Sequence, residues 1–505
     1  MQFNFINKFT QLTKRIVIVL GVLIFTFMLI RLYLLSPPED THLANGARLE
    51  WRDCTFSIPL TEIIHCATLY PSLQNKQKNV TLPIVVVKNI GFEHHSDPIL
   101  YIQGGPGTAT GFKNYDIEYW IDNINKFNYK RDFILYDQRG TGESTPVIVC
   151  PSFEDFTYDL LTTDLSPKIE LQSYYNQHKE CRYRVNQFDG DLTGYSTRHN
   201  TQDVLDITHA IKYPEWNIYG VSYGTRVALE VMRTKPEHVR SMILDSVYPS
   251  DKHSLLTWPS VLNETIQMIF ERCKKNKSCH ARYPNLHERF KVALKKLKYK
   301  SLYIQIPEYY SDGALNIYMN DIRFIEALFF ATYSQELISM IPDTINAAAN
   351  GVTKSLIPVA TAYADSYFDQ YINIITFNSV TCNDEATISR EKYEKEVSRY
   401  PWLNSFMKDT WLYDTCHIWS DKNKLVLKTK TVKSDIPTLI LAGRDDSVTP
   451  WQWGKELHGK MSNSDYADFE NTTHGVLINN DCANKVSYAF LDTLSISKNE
   501  CQSIR

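Results

Sequence analysis

One serine stands inside Gly220-Val221-Ser222-Tyr223-Gly224, with the apolar run Glu215–Tyr219 entering it and the helical stretch Thr225–Arg233 leaving it. This order of strand, tight turn and helix constrains the chain more than any other feature. Such a turn brings two backbones too close for a Cβ, so it needs glycines, and it holds the serine hydroxyl exposed at a sheet edge. Val227, Ala228, Val231 and Met232 keep helical spacing, and Pro236 lies just past the end. Further short apolar runs occur at Pro83–Asn89, Pro98–Gln103, Asp132–Tyr136, Arg240–Asp245 and Pro437–Ala442. Strands that read as continuous apolar runs and alternate with helices predict an α/β chain with a mostly parallel sheet covered on both faces.

Between Tyr248 and Ser434 helical periodicity takes over, as in Asn320–Tyr333 with Ile322, Ile325, Leu328 and Phe329. The expected organisation is a sheet core in two parts, 49–247 and 435–505, split by a mainly helical cap insertion, 248–434. The insertion is expected over the strand ends, where open α/β sheets bind ligands. A composition of 43% hydrophobic and 22% charged residues excludes a disordered chain. A net charge of −3 supplies no basic field, so nucleic acid is excluded as a partner.

The first 15 residues carry Lys8, Lys14 and Arg15, and an apolar run follows from Ile16 to Ile30, extended past Arg31 by Leu32–Leu35. Residues 16–35 are long enough to span a bilayer, and no small-x-small cleavage pattern follows. We therefore expect an uncleaved transmembrane signal anchor and a membrane association through it; secretion after cleavage is the alternative. The flanking charge places the N-terminus in the cytoplasm and the rest outside it. Residues 36–48, beginning Ser36-Pro37-Pro38-Glu39-Asp40, read as a short tether. All ten cysteines follow the apolar run, and an even set in an exported chain reads as disulfides, with nearest-neighbour pairing expected. No CxxC spacing occurs, which argues against zinc.

A serine hydroxyl is a poor nucleophile without a base. In strand–turn–helix serine enzymes the partners follow in the order acid, then histidine. The last strand runs into Gly443-Arg444-Asp445-Asp446-Ser447, and either aspartate can be the acid; Asp446 is preferred and Asp445 is the alternative. The histidine is His474, in Asn471-Thr472-Thr473-His474-Gly475, beyond a helix and the strand Asp465–Glu470. An oxyanion needs backbone donors, and the Gln103-Gly104-Gly105-Pro106-Gly107 loop follows an early strand. The N–H groups of Gly105 and Tyr223 are the expected pair. No metal or organic cofactor is implied.

Taken together, Gly104-Gly105-Pro106-Gly107, Asp137-Gln138-Arg139-Gly140-Thr141-Gly142, Gly220–Gly224, Gly443–Pro450 and Thr473-His474-Gly475 resemble the α/β-hydrolase serine peptidases of the proline iminopeptidase and tripeptidyl aminopeptidase branch. Trp51-x-x-Cys54, Cys66-Ala67-x-Leu69, Val380-x-Cys382-x-Asp384 and Cys416-x-x-Trp419 are similar to the tripeptidyl side, so the resemblance covers nearly all of the chain after the apolar run. It implies Asp446 as the acid and peptides with free N-termini as substrates. Gln103 departs from the histidine usual before this glycine loop, and Thr108-Ala109-Thr110 is less glycine-rich than usual. Asp137 and Arg139 are read as a brace behind the oxyanion loop. A free α-amine needs a carboxylate partner. Asp384 and Glu385, in a loop expected to be fixed by Cys382, are the candidates. The rival readings are an esterase or lipase with the same triad, and a non-catalytic binding protein.

Overall fold

The computed structural model describes residues 36–496 apart from 74–78, 92, 188–191, 235, 308–312, 370, 386–387, 409–410 and 421–429, together with residues 18, 19, 21, 22 and 25. The expected signal anchor at 16–35 lies mostly outside the described residues. Among these, no helix is long and apolar enough to cross a membrane.

Twelve strands are described: β1 (Thr41–His42), β2 (Arg48–Arg52), β3 (Ile64–Tyr70), β4 (Leu82–Val87), β5 (His95–Ile102), β6 (Arg131–Tyr136), β7 (Trp216–Val221), β8 (Val239–Asp245), β9 (Leu302–Pro307), β10 (Ala314–Met319), β11 (Thr438–Gly443) and β12 (Ser464–Phe469). Ten form one sheet in the order β1-β2-β3-β4-β6-β5-β7-β8-β11-β12. Pairings from β6 through β12 are parallel, while β1 to β4 and the β4–β6 join are antiparallel. The expected parallel sheet is present, and the structure adds an antiparallel edge. Strands β4, β6, β7 and β11 are buried at every position, which is why they read as unbroken apolar runs. Strand β2, next to the short edge strand β1, is only half covered, with Leu49 its one buried residue.

Alternation along β5 divides the sheet's two cores. Leu100 and Ile102 face Val227, Val231 and Leu229 of the helix Tyr223–Arg233 on one side. Ile99 and Tyr101 face Ile117, Trp120 and Phe490 on the other. The tether expected over 36–48 is shorter than that. Trp51 donates its backbone N–H to Asp40 Oδ1 (2.8 Å) and its ring N–H to the Glu39 carbonyl (3.2 Å), so the chain is tied to β2 from residue 39 onward.

Residues 248–434 are mainly helical and build a separate apolar core around Ile266, Phe270, Phe290, Phe324, Leu328 and Ile341. This core also holds the antiparallel hairpin β9–β10, which helical periodicity did not reveal. It is not made from the insertion alone. Leu161, on the helix Ser152–Thr162 between β6 and β7, joins it, and the helix Pro167–Gln187 packs on the helix Trp411–Trp419. The buried pair Arg323 Nε–Glu170 Oε1 (2.9 Å) ties the two stretches together. Four disulfides join nearest neighbours, as expected: Cys54–Cys66, Cys150–Cys181, Cys273–Cys279 and Cys382–Cys416. Cys482 is also disulfide-bonded.

Candidate active site

Ser222 lies at the corner between β7 and the helix Tyr223–Arg233, with φ 55° and ψ −122°. A non-glycine residue held there costs about 1–3 kcal/mol and persists only where its surroundings over-determine it. They do so here. A Cβ on Gly220 would meet the Gly224 carbonyl at 2.6 Å, and one on Gly224 would meet the Ile102 carbonyl at 2.1 Å. Both glycines are required by backbone approach. Ser222 N–H also donates to the Asp245 carbonyl at 2.9 Å.

The loop after β5 runs directly over the serine. A Cβ on Gly104 would stand 3.0 Å from Ser222 Cβ and 3.5 Å from its Oγ. Gln103 Oε1 accepts the Gly104 N–H (2.8 Å) and the Tyr101 hydroxyl (2.8 Å), so the residue that departs from the family pattern serves to fold this loop. With the Gly104 N–H used in this way, Gly105, at φ +107°, is the next amide in the loop. Tyr223 opens its helix, where the first four amides have no intrahelical acceptor. Its ring is buried, and its hydroxyl meets Thr197 Oγ1 (2.8 Å) and Asn200 Nδ2 (3.0 Å).

Of the two aspartates after β11, the structure pairs Asp446 with the histidine. His474 Nδ1 lies 2.9 Å from Asp446 Oδ2. The Asp446 carboxylate also accepts the N–H groups of Val448 (2.8 Å) and Thr449 (2.9 Å) and the Thr449 hydroxyl (2.8 Å). Burial would raise this carboxyl, but His474 and the two amides outweigh it and hold the group below its usual range. For His474, burial opposes the charged form, while Asp446 and, behind it, Asp245 hold the imidazole above its ordinary value. Asp445 faces away from His474. It takes both guanidinium nitrogens of Arg272, one at 2.7 Å, from the helix Ser254–Lys275.

Asp137 and Arg139 brace the site separately rather than as a pair. Asp137 accepts the N–H groups of Thr110 (2.7 Å), Gly111 (3.3 Å) and Glu143 (2.9 Å), and burial pushes its carboxyl up to about 6. Arg139 forms a two-bond pair with the buried Asp203, at 2.6 and 2.7 Å.

The expectation for Asp384 and Glu385 is corrected. They end the helix Ile374–Glu385 and are not in a loop. Both are buried, at 3% and 1% exposure, and their oxygens are already engaged. Asp384 accepts the Thr197 hydroxyl (2.5 Å) and amide (3.4 Å). Glu385 faces Arg226 Nη1 (3.3 Å), Ser254 Oγ (2.7 Å), the Leu255 amide (3.3 Å) and the Tyr248 hydroxyl. Both carboxylates are thus turned into the protein interior, where protein donors already meet them. Asp384 acts instead on the scaffold, through Thr197, which holds the Tyr223 ring.

Residues that sequence reasoning missed surround the histidine. Tyr333, between two insertion helices, sets its ring edge-on to the imidazole at 5.6 Å and is itself 41% exposed. Its carbonyl accepts the Thr473 hydroxyl at 3.0 Å. Thr332 Oγ1 meets Ser447 Oγ beside the acid. The insertion therefore touches both loops that carry the acid and the histidine. Only the end of an apolar helical run marked these residues in the sequence. A strained serine under a glycine loop, with a carboxylate-bound imidazole on a neighbouring loop, is an arrangement suited to acyl transfer.

Residues 97–275 match the family described as alpha/beta hydrolase fold, and residues 404–502 match the family described as TAP-like protein. The chain has the α/β-hydrolase fold. Within that class it is 23% identical over 447 residues to the tripeptidyl aminopeptidase of Streptomyces lividans, covering 83% of this chain and 80% of that protein. It is 23% identical over 480 residues to the serine protease Hip1 of Mycobacterium tuberculosis, covering 88% and 89%. A shorter match, 23% over 154 residues, covers 30% of this chain and 27% of the proline iminopeptidase of Arabidopsis thaliana. The resemblance drawn from the motifs holds, and the chain is a hydrolase whose relatives include serine peptidases.

Proposed function

We propose that this protein is an exported, membrane-anchored serine peptidase of aminopeptidase type, releasing residues or short peptides from free N-termini. The observation that carries this reading is the 2.9 Å contact between His474 Nδ1 and Asp446 Oδ2, on loops tied to the strand that ends in Ser222. The names of the relatives that match over most of the chain support peptides as substrates. In this reading His474 takes the proton from Ser222 Oγ as that oxygen attacks the scissile carbonyl. Asp446 fixes the imidazole tautomer and stabilises its charged form. The N–H groups of Gly105 and Tyr223 receive the oxyanion, each donor being worth about 3 kcal/mol in the transition state. His474 returns the proton to the leaving amine, and water then releases the acyl group by the same route in reverse.

The insertion, with the helices of residues 152–187, forms the cap that shapes the substrate cleft. The apolar run at 16–35 is the anchor, and the catalytic part lies outside the cytoplasm; the disulfides support an oxidising compartment.

The test compares three substrate sets: peptides with a free N-terminus, the same peptides N-acetylated, and simple acyl esters. The reading predicts at least about tenfold higher kcat/KM for the free-amine set, with fragment lengths given by mass spectrometry. Equal or better turnover of acetylated peptides or esters contradicts the aminopeptidase assignment and favours an esterase.

A further inference from the structure

The active site contains a second buried carboxylate that the acid–histidine pair does not use. Asp245 is the last residue of β8 and is fully buried. In register it lies beside Val221, which precedes Ser222, and beside Leu441, on the strand that leads to the acid loop. It therefore sits between the strand that ends in the nucleophile and the strand that ends in the acid.

Its contacts reach the histidine's turn. Oδ1 accepts the Val476 N–H at 2.8 Å, and Oδ2 accepts the Leu477 N–H at 2.9 Å. The Ser246 hydroxyl donates to Oδ1 (3.1 Å), and Ser246 Oγ in turn accepts the Gly475 N–H (3.0 Å). The three amides that follow His474 are thus all held from one point, the end of β8. The Asp245 backbone carbonyl accepts the Ser222 N–H, so a single residue joins the nucleophile's amide to the histidine's turn. Ser246 sits at φ 57°, a conformation that a serine adopts only when the surrounding bonds hold it there.

We propose that Asp245 is a positioning residue for His474: it locks the turn carrying the histidine to the strand carrying Ser222, and it supplies negative charge behind the imidazolium. This rests on the assignment of Ser222, Asp446 and His474 given above.

The partners around the two groups fit a charged Asp245. The Tyr219 hydroxyl donates to Oδ2 at 3.2 Å, which brings the donors on the carboxylate to four, two on each oxygen. Four donors and no acceptor suit an ionised carboxylate. Burial pushes the group upward, against the Leu477 and Val476 amides and His474, which favour its charge. The phenols of Tyr101 and Tyr129 belong to the core on the same side of the sheet as Asp245 and stay neutral. Around His474 stand Asp446, the Thr449 hydroxyl (3.3 Å from Nδ1) and the ring of Tyr333.

The experiment measures kcat/KM against pH for the full protein, Asp245→Asn and Ser246→Ala, with thermal unfolding and fluorophosphonate labelling of each. Asp245→Asn is expected to lower kcat by about 10- to 100-fold, as small misplacements of a base do. Removing a nearby anion lowers the histidine's affinity for a proton, so the acid limb should move to lower pH by about half a unit or more. Ser246→Ala keeps the Asp245 carboxylate and its bonds to Val476 and Leu477, and loses the Gly475 contact together with one of the four donors on Asp245. It should lower kcat by a few fold and leave the acid limb where the parent protein has it. A folded Asp245→Asn protein with the parent's acid limb overturns the proposal, because a purely structural role would leave the limb unmoved. If Asp245→Asn does not fold, unchanged kcat in Ser246→Ala overturns it. Failure of the parent protein to label at Ser222 strikes the triad assignment instead.

Discussion

Two pairs of adjacent acidic residues stand near the site, and they do opposite things. Asp445-Asp446 follows the sheet strand β11, and Asp384-Glu385 ends an insertion helix. All four residues are buried. Their partners separate them. Asp446 meets an imidazole that can take and return a proton. Asp384 and Glu385 meet Thr197, Ser254, Tyr248 and the buried Arg226, groups that hold their charge state throughout. Within the first pair the same division recurs, since Asp445 is bound to Arg272. Acidity and burial do not mark a catalytic carboxylate; what it is bonded to does.

The comparison is tested most strongly by replacing the four carboxylates one at a time. Asp446→Asn is expected to lower kcat by about 10⁴-fold, because the amide can fix the wrong imidazole tautomer. Asp445→Asn should cost less than about tenfold, since Arg272 is 40% exposed and water can replace the lost partner. Equal losses in the two variants would remove the distinction between them.

Glu385→Gln should act on stability and spare the chemistry. It leaves Arg226 buried without its counter-charge, and breaking a buried pair from one side costs about 3–5 kcal/mol. Thermal unfolding should fall by several degrees, while kcat per folded molecule stays near that of the parent. A raised KM for free-amine peptides with unchanged stability would restore Glu385 as an amine ligand.

Asp384 gives a smaller effect with a definite sign. Burial pushes its carboxyl up to about 6, against a usual value of 3.8. A raised folded value means that its contribution is fully present below pH 3.8 and is lost as pH rises through about 6. Asp384→Asn removes that loss. Its unfolding temperature relative to the parent should therefore be more favourable at pH 7.5 than at pH 4.5, and a pH-independent difference would contradict the assignment. In the same pH range, the acid limb of kcat/KM should lie above 6.5, the ordinary histidine value, because Asp446 and Asp245 hold the His474 imidazole above it.

The strands that lead to the site were legible because both their faces are covered, so each reads as an apolar run bounded by turn residues. Strand β7 and the helix after Ser222 fall within two residues of the expected bounds. The antiparallel edge was not legible, because β2 is short and half exposed, and its pattern is that of many surface segments. The contribution of residues 152–187 to the insertion's core depends on Glu170 meeting Arg323, a contact between distant stretches that periodicity cannot report. Asp384 and Glu385 were misread for a related reason. Acidic residues beside a cysteine look like a polar loop until Arg226 and Thr197 are brought against them. Asp245 shows the converse: a lone acidic residue ending an apolar run carries no local signal. Its role appears only once β7, β8 and β11 lie side by side.

The central claim, that Ser222 is the nucleophile served by His474 and Asp446, is tested most directly by locating the adduct of a fluorophosphonate on the intact protein by mass spectrometry and repeating the reaction on Ser222→Ala and Asp446→Asn. The account predicts one adduct, on Ser222, absent from Ser222→Ala and formed far more slowly by Asp446→Asn, with peptide turnover in Ser222→Ala lower by about 10⁶-fold. An adduct on another residue, or more than a few per cent of the parent's turnover remaining in Ser222→Ala, would contradict it.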